Sequence, residues 1–140
     1  HALTQVPEAQ VVVLLQPTSP FRKAMHIDGA LEAWAENGDN IVSVTQASKS
    51  PHWMYYRDEY GRLDPILREG GVSSNRQMLP PVYVLNGAVY ISGRERFLAT
   101  RAFLTEDVRG YEMTREESLD IDSKLDWKVA ECLSSDGYER

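Results

Sequence analysis

The sequence predicts an α/β fold built on part of a doubly wound, mostly parallel β-sheet, and three features predict it. The first is VVVLL at residues 11–15, because five consecutive apolar residues suit a strand buried on both faces. The second is a helical repeat of apolar side chains over about residues 20–37, which Gly38 ends. The third is a short strand, NIVSVTQ, at residues 40–46. Together they form one βαβ unit, for which we expect a right-handed crossover.

The middle of the chain predicts a hairpin, a long loop and a strand. HWMYYRDEYGRLDPIL, at residues 52–67, places aromatic, strand-forming residues on both sides of a turn. Residues 68–81 are rich in Gly, Ser, Asn and Pro, which is typical of a long and often functional loop. VYVLNGAVYIS, at residues 82–92, returns to strand character, and Asn86-Gly87 indicates a break or bulge within it.

The last part of the chain predicts two helices and two short extended segments. A helix is expected over about residues 94–101, followed by a short strand in VRGYEM at residues 108–113. Residues 119–122 predict a strand end that runs into the final helix. Ser123 and Asp126 have the spacing of a capping box at the start of that helix.

Composition limits the class of protein. The chain has 140 residues, which suffice for one domain but not two. Its net charge of -6 argues against a nucleic-acid partner, whose binding surface would be basic. The single cysteine, Cys132, excludes an internal disulfide and fits a reducing compartment. No apolar run reaches membrane-spanning length and no secretory signal pattern begins the chain, so we expect a cytoplasmic protein without a membrane partner.

The first strand raises a question about the sheet. A strand that is apolar on both faces, such as residues 11–15, is normally central and needs a neighbour on each side. This sequence supplies only part of a doubly wound sheet. We therefore expect that the chain lacks its first strands or that another chain supplies them.

A polar turn follows that strand and is the first candidate site. Ligands of open α/β sheets bind outside the carboxyl ends of the strands, where Gln16 and its neighbours up to Arg22 would lie. The alternative is an ordinary loop, in which Ser19 caps the next helix and Pro20 occupies its first position. The local pattern alone does not decide between them.

Two aspartates in LDIDSKLDW form the second candidate site. In an extended segment Asp120 and Asp122 would share one face, because successive side chains alternate. Paired carboxylates are hard oxygen ligands suited to Mg²⁺. The alternative is that Asp122 only caps the final helix. The three histidines lack metal-ligand spacing, and His26 is expected at the surface of the first helix.

The segment NRQMLPPVYVLNGAVYI is the third candidate site. Arg76 offers a planar fork of donors for carboxylate or phosphate. Gln77 and Asn86 add amides, and Tyr83 and Tyr90 add hydroxyls. The alternative, which the pattern alone favours, is a solvated loop followed by an edge strand.

Four segments carry a resemblance to a known family: LLQPTSPFR, SPHWMYYRDEYGRL, NRQMLPPVYVLNGAVYI and SLDIDSKLDW. In this order and at these separations they resemble the acylneuraminate cytidylyltransferases, also called CMP-sialic acid synthetases, over about residues 11–131. The combination of LLQPTSP, NGAVYI and DIDSKLDW is specific, although none of the three would suffice singly. The resemblance implies a Rossmann-like nucleotidyltransferase fold and a homodimer. It also implies an activity that joins an acidic nine-carbon sugar to CMP, using CTP and Mg²⁺ and releasing pyrophosphate.

The resemblance also implies roles for individual residues. It places Asp120 and Asp122 as the catalytic metal-binding pair and Gln16 as a catalytic residue at the acidic sugar. Arg76 belongs to a substrate-binding segment that reaches across the dimer into the neighbour's site. Residues 52–84 are then a dimerisation hairpin and loop inserted in the domain.

Three further residues match the family's substrate pocket. Tyr90 and Phe103 match positions that line the pocket for the acyl substituent of the sugar. Asn86 lies in the N-G-A signature, where the backbone turns close to the substrate.

Two departures from the family shape the prediction. Close relatives often carry a basic residue just before N-G-A, where this chain has Val84 and Leu85, so a legionaminic- or pseudaminic-type sugar is possible. The family's glycine- and arginine-rich loop for the CTP phosphates has no counterpart before Val11. Residues 1–140 therefore resemble only the carboxyl-terminal part of such an enzyme, and we expect this truncated chain to be inactive. The alternatives are a non-catalytic dimerisation or interaction module derived from the fold, and a nucleotidyltransferase for another sugar acid.

Overall fold

The computed structural model describes residues 2–67 and 79–135 and confirms an α/β fold. The chain divides into two compact units, residues 1–45 with 85–140, and residues 46–84. The α-helices of the described residues are α1 (Ala2–Gln5), α2 (Ala24–Asn37), α3 (Arg94–Thr100) and α4 (Lys124–Ser135). The strands are β1 (Val11–Leu14), β2 (Ile41–Gln46), β3 (Tyr55–Arg57), β4 (Leu63–Pro65), β5 (Tyr83–Gly93) and β6 (Arg109–Glu112). In the described chain no helix combines the length and the apolar character that crossing a membrane requires.

The main sheet has the strand order β1-β5-β2-β6 and is mixed. β1 and β5 pair antiparallel, with Val11 opposite Gly93, whereas β2 and β6 pair parallel, with Ile41 opposite Arg109. The described pairs therefore do not confirm the expected mostly parallel sheet. The antiparallel pairing arises because β5 lies between β1 and β2, the two strands of the predicted βαβ unit. Local patterns do not encode such a long-range insertion.

β1 stands at one end of this strand order, not at its centre. Among the described residues it pairs with β5 on one side only, and Leu14 is 42% exposed. Its apolar sequence is thus more hydrophobic than its edge position in this chain requires. None of the described strands provides the second neighbour expected for β1.

α2 covers the sheet and confirms most of the predicted first helix. Its apolar face, with Ala30 fully buried, packs on a core that includes Ile41, Val89 and Ile91. The helix ends as predicted at Gly38, whose φ of 73° lies in the left-handed region that favours glycine.

The start of α2 differs from the prediction in two ways. The helix begins at Ala24, several residues after the expected start, and Lys23 takes the N-cap position. His26 is buried, not at the surface, because its Nδ1 accepts a hydrogen bond of 3.0 Å from the backbone N–H of Lys23. His26 thus replaces the usual Glu or Gln of a capping box.

The second unit contains the predicted hairpin, formed by β3 and β4. Asp58 organises its turn, because Oδ1 accepts the backbone N–H groups of Tyr60 and Arg62, each at 2.9 Å. Oδ2 accepts from Arg62 Nε at 2.7 Å, and Gly61 adopts a φ of 84°. The hairpin leaves large side chains exposed, including Tyr56 and Leu63.

The segment before α4 differs from the predicted strand. Residues 119–122 belong to no strand, although the backbone N–H of Ile121 donates to the carbonyl of Thr18 at 2.9 Å. The capping box at α4 is confirmed: Ser123 N–H donates to Asp126 Oδ2 at 2.7 Å, and Asp126 N–H donates to Ser123 Oγ at 3.3 Å.

Candidate active site

The candidate site is centred on Gly87, in the middle of β5. Gly87 has a φ of 75°, so the predicted break in this strand is a left-handed residue. A Cβ atom at this position would collide with Gln16 Oε1 and would lie 3.5 Å from Ser19 Oγ and 3.6 Å from Asp120 Oδ2. The missing Cβ leaves room for the Gln16 amide, while Ser19 and Asp120 lie at ordinary contact distance from the same point. The structure therefore brings together the polar turn and the first aspartate of LDID.

The polar turn is held by bonds to β5. The backbone N–H of Ser19 closes the turn on the carbonyl of Gln16 at 3.4 Å, and Ser19 Oγ donates to the carbonyl of Asn86 at 3.3 Å. One Arg22 nitrogen, Nη1, donates to the carbonyls of Gln16 at 3.1 Å and Ala88 at 2.8 Å. The alternative in which Ser19 caps a helix is therefore wrong. Ser19 and Arg22 fix the position of Gln16 relative to β5.

Asn86 anchors three segments beside Gly87, and it is 4% exposed. Its Oδ1 accepts from Ser43 Oγ at 2.5 Å and from the backbone N–H of Ala88 at 3.2 Å. Its Nδ2 donates to Ser118 Oγ at 2.8 Å and to Met113 Sδ at 3.4 Å. The amide is thus bonded to protein atoms on both its donor and acceptor sides. The substrate role implied for Asn86 remains a prediction, and this geometry shows a positioning role.

The Asp120 carboxylate has a side-chain oxygen that could bind a ligand. Its Oδ1 is buried, yet no described residue gives it a hydrogen bond. A buried carboxylate oxygen without a donor is costly, and a cation would compensate it. Asp122 is exposed, and its backbone N–H donates to Asp126 Oδ2 at 3.2 Å. The donor set fits Mg²⁺, which is commonly held by one or two carboxylates together with substrate phosphates.

The described residues hold no cluster of three or more His, Cys, Asp or Glu side chains able to bind a metal.

Tyr90 and Phe103 form an aromatic pair next to this site. Their ring centroids are 5.7 Å apart at an interplanar angle of 55°, and Phe97 lies 4.8 Å from Phe103. Burial raises the pKa of the Tyr90 hydroxyl above its usual value, and the charge of Asp120 raises it further. Tyr90 therefore lies within the electrostatic reach of Asp120, and Phe103 packs on the Tyr90 ring.

A charged cluster ties α2 to the segment that leads into Asp120. Glu117 Oε1 lies 3.2 Å from Lys23 Nζ, and Glu117 Oε2 lies 3.3 Å from His26 Nε2. Although burial opposes it, the hydrogen bonds from Thr114 and Lys23 hold the pKa of Glu117 below its usual value. No signal in the sequence indicated this cluster, because its members are polar residues at unremarkable spacing.

The predicted site residues thus fall into three groups. Gln16, Asn86 and Asp120 meet at Gly87, and Tyr90 and Phe103 form the adjacent pair. Asp122 lies in the same segment as Asp120 and is exposed. Arg76 and Gln77 lie outside the described residues, so the substrate-binding role of Arg76 remains a prediction.

The fold and this site define a class of protein. The 4-diphosphocytidyl-2C-methyl-D-erythritol synthase of Anaerococcus prevotii has a TM-score of 0.58 to this chain, at 14% identity, over 92% of this chain and 60% of that one. The chain thus shares the α/β fold of that synthase. No protein-family model matches the sequence.

Curated relatives confirm the resemblance to the acylneuraminate cytidylyltransferases. The N-acylneuraminate cytidylyltransferase of Streptococcus agalactiae serotype V is 37% identical over 127 residues, which are 89% of this chain and 30% of that protein. The CMP-N,N'-diacetyllegionaminic acid synthase of Legionella pneumophila is 34% identical over 125 residues, 87% of this chain and 53% of that protein. An N-acylneuraminate cytidylyltransferase of Escherichia coli O18:K1:H7 is 32% identical over 132 residues, 93% of this chain and 31% of that protein. The chain thus spans between about a third and a half of the length of these relatives.

Proposed function

We propose that this chain carries the sugar-binding and metal-binding residues of a cytidylyltransferase. The enzyme would join a sialic-acid-like nonulosonic acid to CMP. In this reaction the anomeric hydroxyl of the sugar attacks the α-phosphorus of CTP, the new P–O bond forms, and pyrophosphate leaves. The observation that supports the proposal is the meeting of Gln16 and Asp120 at Gly87. The names of two relatives, an N-acylneuraminate cytidylyltransferase and a CMP-N,N'-diacetyllegionaminic acid synthase, support the substrate class.

Gln16 is proposed to orient the sugar. Its amide offers neutral hydrogen bonds, which avoid adding negative charge beside an anionic substrate. Bonds from Ser19 and Arg22 hold the turn that carries Gln16, so little ordering remains to be done when the sugar binds. Tyr90 and Phe103 are proposed to contact the acyl substituent of the sugar, because they present an aromatic surface beside the same site.

Asp120 and Asp122 are proposed to hold Mg²⁺. The unpaired Oδ1 of Asp120 supports the assignment. When bound, Mg²⁺ would neutralise charge that builds on the phosphate oxygens. The contribution of Asp120 is to present a fixed carboxylate, since its segment is bonded to the turn through Ile121 and Thr18.

The CTP side and the dimer are further parts of the proposal. No glycine- and arginine-rich phosphate loop precedes Val11, so we expect this chain alone not to turn over CTP. Arg76 is proposed to reach the site of a second copy in a homodimer. Val84 and Leu85, in place of a basic residue, leave the choice among sialic, legionaminic and pseudaminic acids to a substrate panel.

Isothermal calorimetry with the 140-residue chain tests the proposal. We expect heat of binding when N-acetylneuraminic or N,N'-diacetyllegionaminic acid is added with Mg²⁺. Gln16→Ala should reduce this heat strongly, whereas Gln5→Ala, an exposed glutamine on α1, should not change it. Equal binding by the two variants would refute the role of Gln16. Robust release of pyrophosphate from CTP by this chain would refute the proposed need for a further phosphate site.

A non-catalytic dimerisation or interaction module is the second candidate. The hairpin of the second unit favours it, because Tyr56, Tyr60 and Leu63 are more than 60% exposed. Such apolar surface is typical of contact with a partner. A stable dimer in sedimentation that binds neither sugar nor Mg²⁺ would favour this candidate over the enzyme.

A further inference from the structure

The loop at residues 101–107 carries Phe103, which the proposed function places against the acyl substituent of the sugar. Phe103 lies in this loop and contacts Tyr90 on β5 and Phe97 on α3. The loop begins at Arg101, which ends α3 with a φ of 55° and donates its backbone N–H to the carbonyl of Phe97 at 2.8 Å. The residues after this helix end lie outside α3 and β6, so the position of Phe103 depends on contacts from other parts of the chain.

Asn40 supplies the central contacts, although it lies far from this loop in the sequence. Its side chain is fully buried, and Nδ2 donates to the carbonyl of Phe103 at 2.9 Å. The same nitrogen lies 3.3 Å from Thr105 Oγ1 and 3.4 Å from the carbonyl of Ala102. The backbone carbonyl of Asn40 accepts from Arg109 N–H at 2.8 Å, which fixes Asn40 at the start of the β2–β6 pair. One buried amide thus joins the sheet to the backbone at Phe103.

The side-chain amide of Asn40 makes its hydrogen bonds through the nitrogen, Nδ2. Its Oδ1 is buried and accepts no hydrogen bond from the described residues. An unpaired buried acceptor destabilises the fold, so the bonds made by Nδ2 have to offset that cost. An apolar residue of similar size would avoid the cost but would leave the loop carbonyls without a donor.

The outer side of the loop is held separately. Thr105 Oγ1 donates to Asp107 Oδ1 at 2.8 Å, and Asp107 Oδ2 pairs with Arg96 Nη1 on α3 at 2.6 Å. Thr105 therefore links the inner amide of Asn40 to the outer ion pair. Because the loop is fixed from both sides, Phe103 has a defined place and can act as a rigid wall.

We propose that Asn40 is a positioning residue that sets the length of the N-acyl group the sugar pocket accepts. It acts through Phe103 and does not itself contact the sugar. A fixed apolar pocket discriminates substrates that differ by one methylene by about 10- to 200-fold. A mobile wall loses that discrimination. This inference rests on the proposed function, since it takes the ligand to be an N-acylated nonulosonic acid.

The test compares two sugars that differ by one methylene, N-acetylneuraminic and N-propanoylneuraminic acid. Calorimetry with Mg²⁺ gives the ratio of their dissociation constants for the 140-residue chain, and thermal melts are recorded in parallel. We expect the two dissociation constants to differ by about 10-fold or more in the unmodified chain. In Asn40→Ala the ratio should fall close to 1. Thr105→Val keeps its shape while losing the hydroxyl, and should change the ratio in the same direction by a smaller factor. Asn37→Ala, an exposed amide on α2, should leave the ratio unchanged.

A double-mutant cycle separates positioning from general destabilisation. In a Phe103→Ala background, Asn40→Ala should no longer alter the ratio, because the wall through which Asn40 acts is gone. Two results would refute the inference and leave the proposed function intact. One is a ratio of dissociation constants that is unchanged in both Asn40→Ala and Thr105→Val. The other is an Asn40→Ala effect on the ratio that is equally large in the Phe103→Ala background. Failure of the unmodified chain to bind either sugar would overturn both proposals.

Discussion

Gln16 Oε1 and Asp120 Oδ2 lie against the same side of Gly87, at the point where a Cβ atom would stand. The two side chains come from opposite ends of the sequence, and each follows a separate segment that reaches β5. Ile121 and Thr18, next to them in the chain, share a backbone hydrogen bond of 2.9 Å. The absence of a side chain on residue 87 thus lets the Gln16 amide lie beside β5, next to Asp120.

Gly87→Ala should have two effects, strain in the backbone at residue 87 and displacement of the Gln16 side chain. Gly38→Ala is the matched control, because its φ of 73° is nearly the same as the 75° of Gly87 and nothing lies within 4 Å of its Cβ position. Left-handed strain costs about 1–2 kcal/mol at either position. A Cβ at residue 87 would collide with Gln16 Oε1, the end of a flexible side chain that can swing away, so the two variants should lose similar stability in urea while only Gly87→Ala displaces Gln16 and weakens sugar binding. Calorimetry with the sugar measures this difference, and equal sugar binding by the two variants would contradict the crowded geometry.

The components of this site could be predicted from local sequence, but their contacts could not. Gln16 follows an apolar strand and Asp120 lies in an extended D-x-D, and both patterns are local. The bond from Ser19 to the carbonyl of Asn86 depends on β5 lying beside β1, and this insertion has no local signature. The expected surface position of His26 is wrong for the same reason, because its partner Glu117 is distant in the sequence. Sequence patterns predicted which elements form, and tertiary pairing decided which faces are buried.

Asp120→Asn should remove the stabilisation that Mg²⁺ gives to the chain. A ligand that binds only the folded state at 100 times its dissociation constant stabilises it by about 2.7 kcal/mol. The unmodified chain should therefore melt at a higher temperature with saturating Mg²⁺ than with EDTA. Asp120→Asn should abolish this shift and Asp122→Asn should weaken it, since only Asp120 has a buried, unpaired oxygen.

Asp28→Asn, an exposed carboxylate on α2, is the control for that experiment and should retain the full shift. Retention of the shift by Asp120→Asn would show that any Mg²⁺ effect arises elsewhere on the chain. In the absence of Mg²⁺, Asp120→Asn should not destabilise the chain, because the substitution removes an uncompensated buried charge.

The ion pair between Asp107 and Arg96 should make the loop sensitive to acid. The hydrogen bond from Arg96 and, next, that from Thr105 lower the pKa of Asp107 to about 2 from a usual value of 3.8. A lowered folded-state pKa stabilises the fold above pH 4, and this contribution is lost as the pH falls through about 2. Asp107→Asn should therefore lose less stability than the unmodified chain between pH 4 and pH 2 in chemical denaturation.

Because this pair lies at the surface, the difference should shrink in 1 M salt. Parallel loss of stability in the two chains over this pH range, at low salt, would show that the pair contributes nothing to folding.

Ser43→Ala should separate the two roles considered for Asn86. Ser43 is buried on β2; its Oγ donates to Asn86 Oδ1 at 2.5 Å and accepts the backbone N–H of Val89 at 2.7 Å. Its removal leaves two buried groups short of a partner, at a cost of about 1–3 kcal/mol. Ser92→Ala is the matched buried control, because Ser92 Oγ donates only to the carbonyl of the next residue.

If Asn86 serves by holding β5 in place, Ser43→Ala should weaken sugar binding several-fold while Ser92→Ala leaves it unchanged. The expected weakening is transmitted through Asn86, since Ser43 is fully enclosed and has no access to a ligand. If Asn86 instead binds the sugar directly, Asn86→Ala should abolish binding while Ser43→Ala preserves it at temperatures where both chains are folded. Calorimetry on the three variants, with circular dichroism to establish that each is folded, distinguishes the two roles.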